Sequence, residues 1–271
     1  MKKRSRFPIL PCIISVALAI LAGCYVNPVT GRSYTVLTSV GQEVRMGAQA
    51  FEEIKKEEKV SADQEANARV RRIASRLAEV VGEGVPEANW EFVVFDSETL
   101  NAFALPGGKV GVYAGLIDLL DDDDELAAVI GHEIGHVVAR HGGKRMSQGI
   151  LVGVIGAVGG AMVENAELFR QAYGGITNAA FVLPHSRKDE QEADMMGLHF
   201  AALAGYDPEA AVRVWQKMDE VSKPEDRPPA WLSTHPTNAQ RIADLSEAAP
   251  RYRDVYLANK DRFAEQEREN S

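Results

Sequence analysis

Apolar positions recur at helical spacing through much of the chain, and one central stretch switches to the period of β-strands. Val40, Val44, Gly47, Phe51 and Ile54 fall on one helix face, and Ser39 with Gln42 fits a capping box at its start. Ser61 and Gln64 fit a second box, before a stripe of Val70, Ile73, Leu77 and Val80 that Gly82 can stop. Between residues 90 and 117 the period changes. Trp90–Asp96 reads as a strand, and Asn101–Leu105 and Lys109–Ala114 as two more, joined by a tight turn at Pro106-Gly107-Gly108. Asp121–Glu125 is a run of five acids just ahead of an apolar helical pattern, where it suits the positive end of a helix. That helix is expected to reach about His141 and stop at Gly142-Gly143. A second long helix is expected from about Arg187 to Ala204, ending at Gly205. Asp207-Pro208-Glu209 opens another, with Asp as cap and Pro in the first position. Thr237 is expected to cap a short helix with Ile242 and Leu245. Residues 150–162 are apolar and glycine-rich, and three readings stay open: a buried helix, a flap, or a segment resting on a membrane interface. The sum is an α+β fold, mostly helical with a small three-stranded sheet, in one domain over residues 39–250. A polar tail, 251–271, follows.

The N-terminus breaks this pattern. Lys2, Lys3, Arg4 and Arg6 precede an apolar run from Cys12 to Ala22, then Leu21-Ala22-Gly23-Cys24. A basic start, a short apolar stretch and small residues make a secretory signal, here residues 1–23. The run is about 11 residues, too short to span a bilayer; an uncleaved anchor is the alternative. Leu-Ala-Gly-Cys resembles the bacterial lipobox, which implies cleavage before Cys24 and a lipid on its thiol. Residues 24–38, with Asn27-Pro28 and Gly31, then read as a lipid-anchored tether. The chain has two cysteines, so on this reading the mature domain has no free thiol and no disulfide. His, Asp and Glu are left for any metal site.

Composition adds one exclusion. The chain has 45% hydrophobic and 25% charged residues, ordinary for a globular core. Net charge is −9, and loss of the signal's four basic residues takes it to −13. Such a surface argues against nucleic acid as a partner, and against broad electrostatic attachment to anionic lipid.

The chemistry sits in two clusters. In His132-Glu133-Ile134-Gly135-His136, two histidines four apart stand one turn above each other on a helix, so both imidazoles can reach one ion. Glu133, about 100° further round, can reach a water beside the ion without ligating it, which is where a general base is needed. Ser186–Asp194 is the second cluster, also on an expected helix. Glu190 and Asp194 share a face; Glu190 is the natural third ligand, and Asp194 can accept the outer N–H of a ligand histidine. Glu192 is read as solvated, His141 as structural and pointing away, and His199 as packed or solvated.

HEIGH in the setting Gly-His-Glu-Ile-Gly-His, followed by SRKDEQEAD, resembles the gluzincin zinc metallopeptidases of HtpX, CAAX prenyl protease and Oma type. Within them the chain looks most like the bacterial envelope peptidases LoiP and BepA. The resemblance runs from about Asn27 to Ile242. It implies a zincin-like fold, one Zn2+ per chain on His132, His136 and Glu190, Glu133 as catalytic base, and Asp194 behind the ligands. Asn101, Ala102, Phe103 and Ala104 resemble the family's strand beside the cleft, able to pair with an extended substrate. His235-Pro236 with Arg241-Ile242 resembles its His-Pro loop; His235 is a fourth zinc ligand, an oxyanion donor or a loop residue, and the three stay open. His185 stands where relatives often carry Tyr. Residues 251–271 do not resemble a tetratricopeptide array. The expected activity is that of a zinc-dependent endopeptidase cleaving misfolded or misassembled envelope proteins. Tyr25, not Asp, after Cys24 favours the outer membrane, periplasmic face. A lipid-anchored, chaperone-like assembly or quality-control factor with a latent zinc site is the second reading. A purely structural zinc site is the third, and it gives no reason for an acid beside His132.

Overall fold

A computed structural model describes residues 23–85, 87–148, 185–222, 229–236 and 239–269. The expectations for residues 1–22, for 150–162 and for the Thr237 cap lie outside them. Among the described residues no helix is long and apolar enough to cross a membrane.

The fold is α+β and mostly helical. Strands β1 (Cys24–Val26) and β2 (Ser33–Thr35) pair antiparallel. Helix α1 (Val40–Glu57) begins at the expected capping box, Ser39 with Gln42. Helix α2 (Gln64–Val81) ends at Gly82, but Asp63 caps it rather than Ser61. The Asp63 carboxylate accepts from the Glu65 and Ala66 N–H groups, which a residue next to the helix reaches more easily than one two positions earlier. Strands β3 (Glu91–Phe95), β4 (Ala102–Leu105) and β5 (Lys109–Tyr113) form one sheet in the order β3-β5-β4. β4 and β5 are the expected hairpin, while β3 runs parallel to β5. β4 is an edge of this sheet.

After α3 (Ala114–Leu119) comes α4 (Asp123–Val138), buried on nearly every face. Its acidic start is used at each position: Asp122 caps, Asp123 pairs with Arg69 and Arg72, Asp124 accepts from the Asp207 N–H, and buried Glu125 holds Lys217 at 2.5 Å. The helix stops at Val138, three residues before the expected end. Arg140 takes a left-handed φ of 52°, and the Tyr25 and Tyr34 hydroxyls donate to the Val138 and Ala139 carbonyls that the helix leaves open. Gly142 and Gly143 lie within the next helical stretch, 141–148.

Helix α5 (Arg187–Leu203) lies against α4. A Cβ on Gly135 would sit 3.0 Å from the Ala193 carbonyl oxygen, and one on Gly197 3.0 Å from the His132 nitrogen. Glycine's cost inside a helix is offset here by backbone approach, which brings two side-chain sets to one point. Helices α6 (Ala210–Val221), α7 (Ala230–Thr234) and α8 (Ala239–Ala248) close the other side.

Two expected extensions are folded onto the domain. The presumed tether forms the β1–β2 hairpin, with Asn27 fully buried. The presumed polar tail is largely helix α9 (Arg253–Glu269), which lies on α5 with Phe263 buried. Three-residue strands, and a helix with few apolar anchors, carry too little periodicity to be read from sequence.

Candidate active site

Helix α4 presents His132 and His136 on one face, as their four-residue spacing requires, with Nε2 atoms 3.1 Å apart. The glycine-mediated approach of α5 brings Glu190 to them: 3.6 Å from His132 Nε2 and 3.3 Å from His136 Nε2. His235, at the end of α7, completes the group. Its Nδ1 lies 3.2 Å from His132 Nε2 and 3.1 Å from Glu190 Oε1. All four residues are buried, and each offers a donor atom within 4.8 Å of every other. An ion with four ligands at about 2.0–2.1 Å has ligand–ligand edges of about 3.3–3.4 Å. The donor spacing therefore fits a tetrahedral cation, and the N/O chemistry fits zinc.

The electrostatics also ask for a positive charge at this point. Burial opposes charge on His132, but hydrogen bonds to Asp194 and Glu190 outweigh it and raise the imidazole to about 9. Burial likewise opposes ionisation of Glu190, yet facing His235, His132 and His136 hold its carboxyl well below the usual range. His136 goes the other way, pushed well below its ordinary value mainly by burial.

Glu133 is buried and outside the four-donor set, as its position on the helix predicts. Its Oε1 accepts from Trp231 Nε1 at 2.7 Å and lies 3.3 Å from His235 Nε2. Asp194 Oδ1 faces His132 Nδ1 at 2.9 Å, the expected contact behind a ligand. Arg241 grips Asp194 through two hydrogen bonds of 2.7 Å and reaches Glu190 Oε2 at 2.6 Å. Its guanidinium lies over the Trp215 ring, 3.6 Å from the centroid.

Two expectations are corrected. Glu192 is buried rather than solvated, held by Asn27, Thr30, Arg32 and His141. His141 turns toward the site, its Nδ1 2.9 Å from His136 Nδ1, because the break at Ala139-Arg140 redirects it. His185 lies against His136 with ring centroids 3.8 Å apart and ring planes tilted by 37°. His199 is half-buried against Phe200 and Tyr252, the packed alternative. Trp231 and Arg241 received no role from sequence; the signal available for both was proximity to the His235-Pro236 segment. Asn101 and the strand Ala102, Phe103, Ala104 lie on the sheet edge beside α4, and the Leu100 carbonyl accepts from the Trp231 N–H. Cys24 is exposed at the start of β1.

A buried two-histidine, one-glutamate cluster on two packed helices, with an acid beside the first histidine, defines a metallopeptidase-type site. The chain belongs to peptidase family M48, whose model matches residues 64–249. It is 33% identical over 226 residues to the mitochondrial metalloendopeptidase OMA1 of Schizosaccharomyces pombe, covering 82% of this chain and 66% of that protein. The mitochondrial metalloendopeptidase OMA1 of Homo sapiens is 32% identical over 239 residues, 83% of this chain and 46% of its own. The beta-barrel assembly-enhancing protease of Escherichia coli is 26% identical over 243 residues, 87% of this chain and 50% of its own. The chain thus spans between about half and two thirds of the length of these relatives.

Proposed function

We propose that this chain is a zinc-dependent endopeptidase of the bacterial cell envelope, latent in the conformation described. The carrying observation is the set of four buried donors at tetrahedral spacing with a carboxylate beside it that is not one of them. His132, His136 and Glu190 would hold the ion, with Asp194 and Arg241 orienting them. Zinc, when bound, supplies a Lewis acid that polarises the scissile carbonyl and makes water acidic enough to react near neutral pH. Glu133 takes the proton from the attacking water and delivers it to the leaving amine. The edge strand with Asn101, Ala102, Phe103 and Ala104 is the candidate for pairing with an extended substrate backbone.

Segment 231–235 supports latency. His235 takes the fourth donor position, and Trp231 and His235 both engage Glu133. Of the three roles open for His235, this favours the fourth ligand. His235→Ala is expected to raise cleavage of an unfolded casein-type substrate several-fold. Lower cleavage with zinc retained would instead assign His235 to the oxyanion. The same contacts favour the second reading, a quality-control factor that binds unfolded envelope proteins without cleaving them. If Glu133→Gln keeps all biological function, that reading wins.

Unfolded or misassembled envelope proteins are the proposed substrates. The assembly-enhancing protease among the relatives supports this by its name, although other relatives are mitochondrial. Anchoring is proposed through a lipid on Cys24 after removal of residues 1–23, at the periplasmic face of the outer membrane. Cys24→Ala is expected to lose incorporation of labelled fatty acid and to leave the membrane fraction. Unchanged labelling would sink the anchor assignment.

A further inference from the structure

The two histidines of the HEIGH motif are steered by different devices. His132 Nδ1 meets the Asp194 carboxylate directly. His136 Nδ1 meets a second imidazole, His141 Nδ1, at 2.9 Å. The far nitrogen of that ring, His141 Nε2, faces Glu192 Oε2 at 3.1 Å. His141 is fully buried and Glu192 nearly so. We propose that His141 and Glu192 form a two-step relay that fixes the tautomer and ring direction of His136. The loop of the N-terminal hairpin, residues 27–32, holds its outer end. The proposal rests on the zinc reading above.

The direction of every hydrogen bond follows from the donor inventory. Two imidazole nitrogens at 2.9 Å share one hydrogen, because two lone pairs or two N–H groups would repel there. Glu192 is surrounded by donors: Asn27 Nδ2 at 2.8 Å, Thr30 Oγ1 at 2.5 Å and Arg32 Nη1 at 2.5 Å. Its carboxylate therefore accepts, and His141 Nε2 donates to it. A neutral imidazole with hydrogen on Nε2 has a bare Nδ1. His136 Nδ1–H must then be the donor, which leaves His136 Nε2 bare and aimed at Glu190, 3.3 Å away. Asp194 gives His132 the same state in one step, and the relay gives it to His136 in two.

His141, Asp189 and Glu192 also come close enough to hold a cation of their own. Positive charge is already present there: Lys144 Nζ lies 2.5 Å from Asp189, and Arg32 contacts both acids. The group is a support for His136 and not a second metal site. The hairpin just after Cys24 thus contributes to holding a zinc ligand, through Asn27, Thr30 and Arg32.

Zinc affinity, measured by chelator competition on purified protein, tests the relay. Cobalt(II) absorption reads the ligand geometry, and the melting temperature of the zinc-free form checks the fold. His141→Phe keeps the ring but removes both nitrogens; its zinc Kd is expected to rise about 10–100-fold with an altered cobalt spectrum. His141→Gln, whose amide oxygen can accept and whose amide nitrogen can donate, should recover most of the loss. A His141→Phe protein with an intact fold and wild-type affinity overturns the relay while leaving the zinc site standing. Wild-type protein that binds no zinc overturns both. The ¹⁵N histidine spectrum of the unmutated zinc form decides the matter without any variant. Hydrogen on His141 Nε2 alone is the expected result, and an imidazolium, or hydrogen on Nδ1 alone, overturns the relay.

Discussion

Glu133→Gln is expected to lower kcat by about 10²–10⁴, the usual contribution of a positioned acid–base group, with the metal retained. The amide nearly matches the carboxylate in shape, and its oxygen can still accept from Trp231 Nε1, so the fold and the ligand set are preserved. What it lacks is the ability to take a proton from water. The comparison is best made in a His235→Ala background, where the 231–235 segment no longer holds the site closed through its histidine. Rates on an unfolded substrate and zinc content by atomic emission are the two readouts. A loss below about tenfold with zinc present would leave Glu133 without its assigned role. Loss of zinc together with rate would show that the substitution damaged the ligand set instead.

Chelation of zinc is expected to be the largest single change in stability. An ion at about 1,000 times its dissociation constant stabilises the folded state by about 4 kcal/mol. For a domain of this size that is roughly 8–16 °C in melting temperature. The zinc-free protein should still fold, because α4 is buried by Leu126, Ile130, Ile134 and Val138 independently of the ion. The effect has a pH signature. In the zinc-free state the Asp194 and Glu190 contacts outweigh burial and raise His132 to about 9, above its ordinary 6.5. A raised pKa stabilises the fold fully below 6.5, and that contribution fades as pH rises through about 9. Zinc must also displace this proton, so the melting gap between loaded and zinc-free protein should widen as pH increases toward 9. Scanning calorimetry across that range measures it. A gap that narrows with rising pH would contradict a proton and a metal sharing His132.

The part of the site legible in the sequence is the part set by local helix geometry. His132, Glu133 and His136 lie within five residues on one helix, and Glu190 and Asp194 share another, so spacing alone fixes their relative directions. The partners that complete the site come from far along the chain. Trp231 reaches Glu133 across 98 residues and Asn27 reaches Glu192 across 165. No local pattern announces such contacts. The direction of His141 is not legible in the local pattern, for a specific reason. On a continuous helix, five residues on from His136 is a rotation of about 140°, away from the metal. The left-handed turn at Arg140 cancels that rotation. Glu192 looked solvated because a charged residue on a charged helix usually is; its burial depends on Arg32 and Thr30 in the hairpin. The hairpin and α9 are not legible because short strands and sparse anchors such as Phe263 leave only a weak period in the sequence.

Anomalous scattering at the zinc absorption edge, from crystals of the purified protein, tests the central claim most directly. One peak per chain, within bonding distance of His132 Nε2, His136 Nε2 and a Glu190 carboxylate oxygen, is the expected result. No peak in zinc-supplemented crystals, or a peak on other residues with these three unbonded, would contradict it.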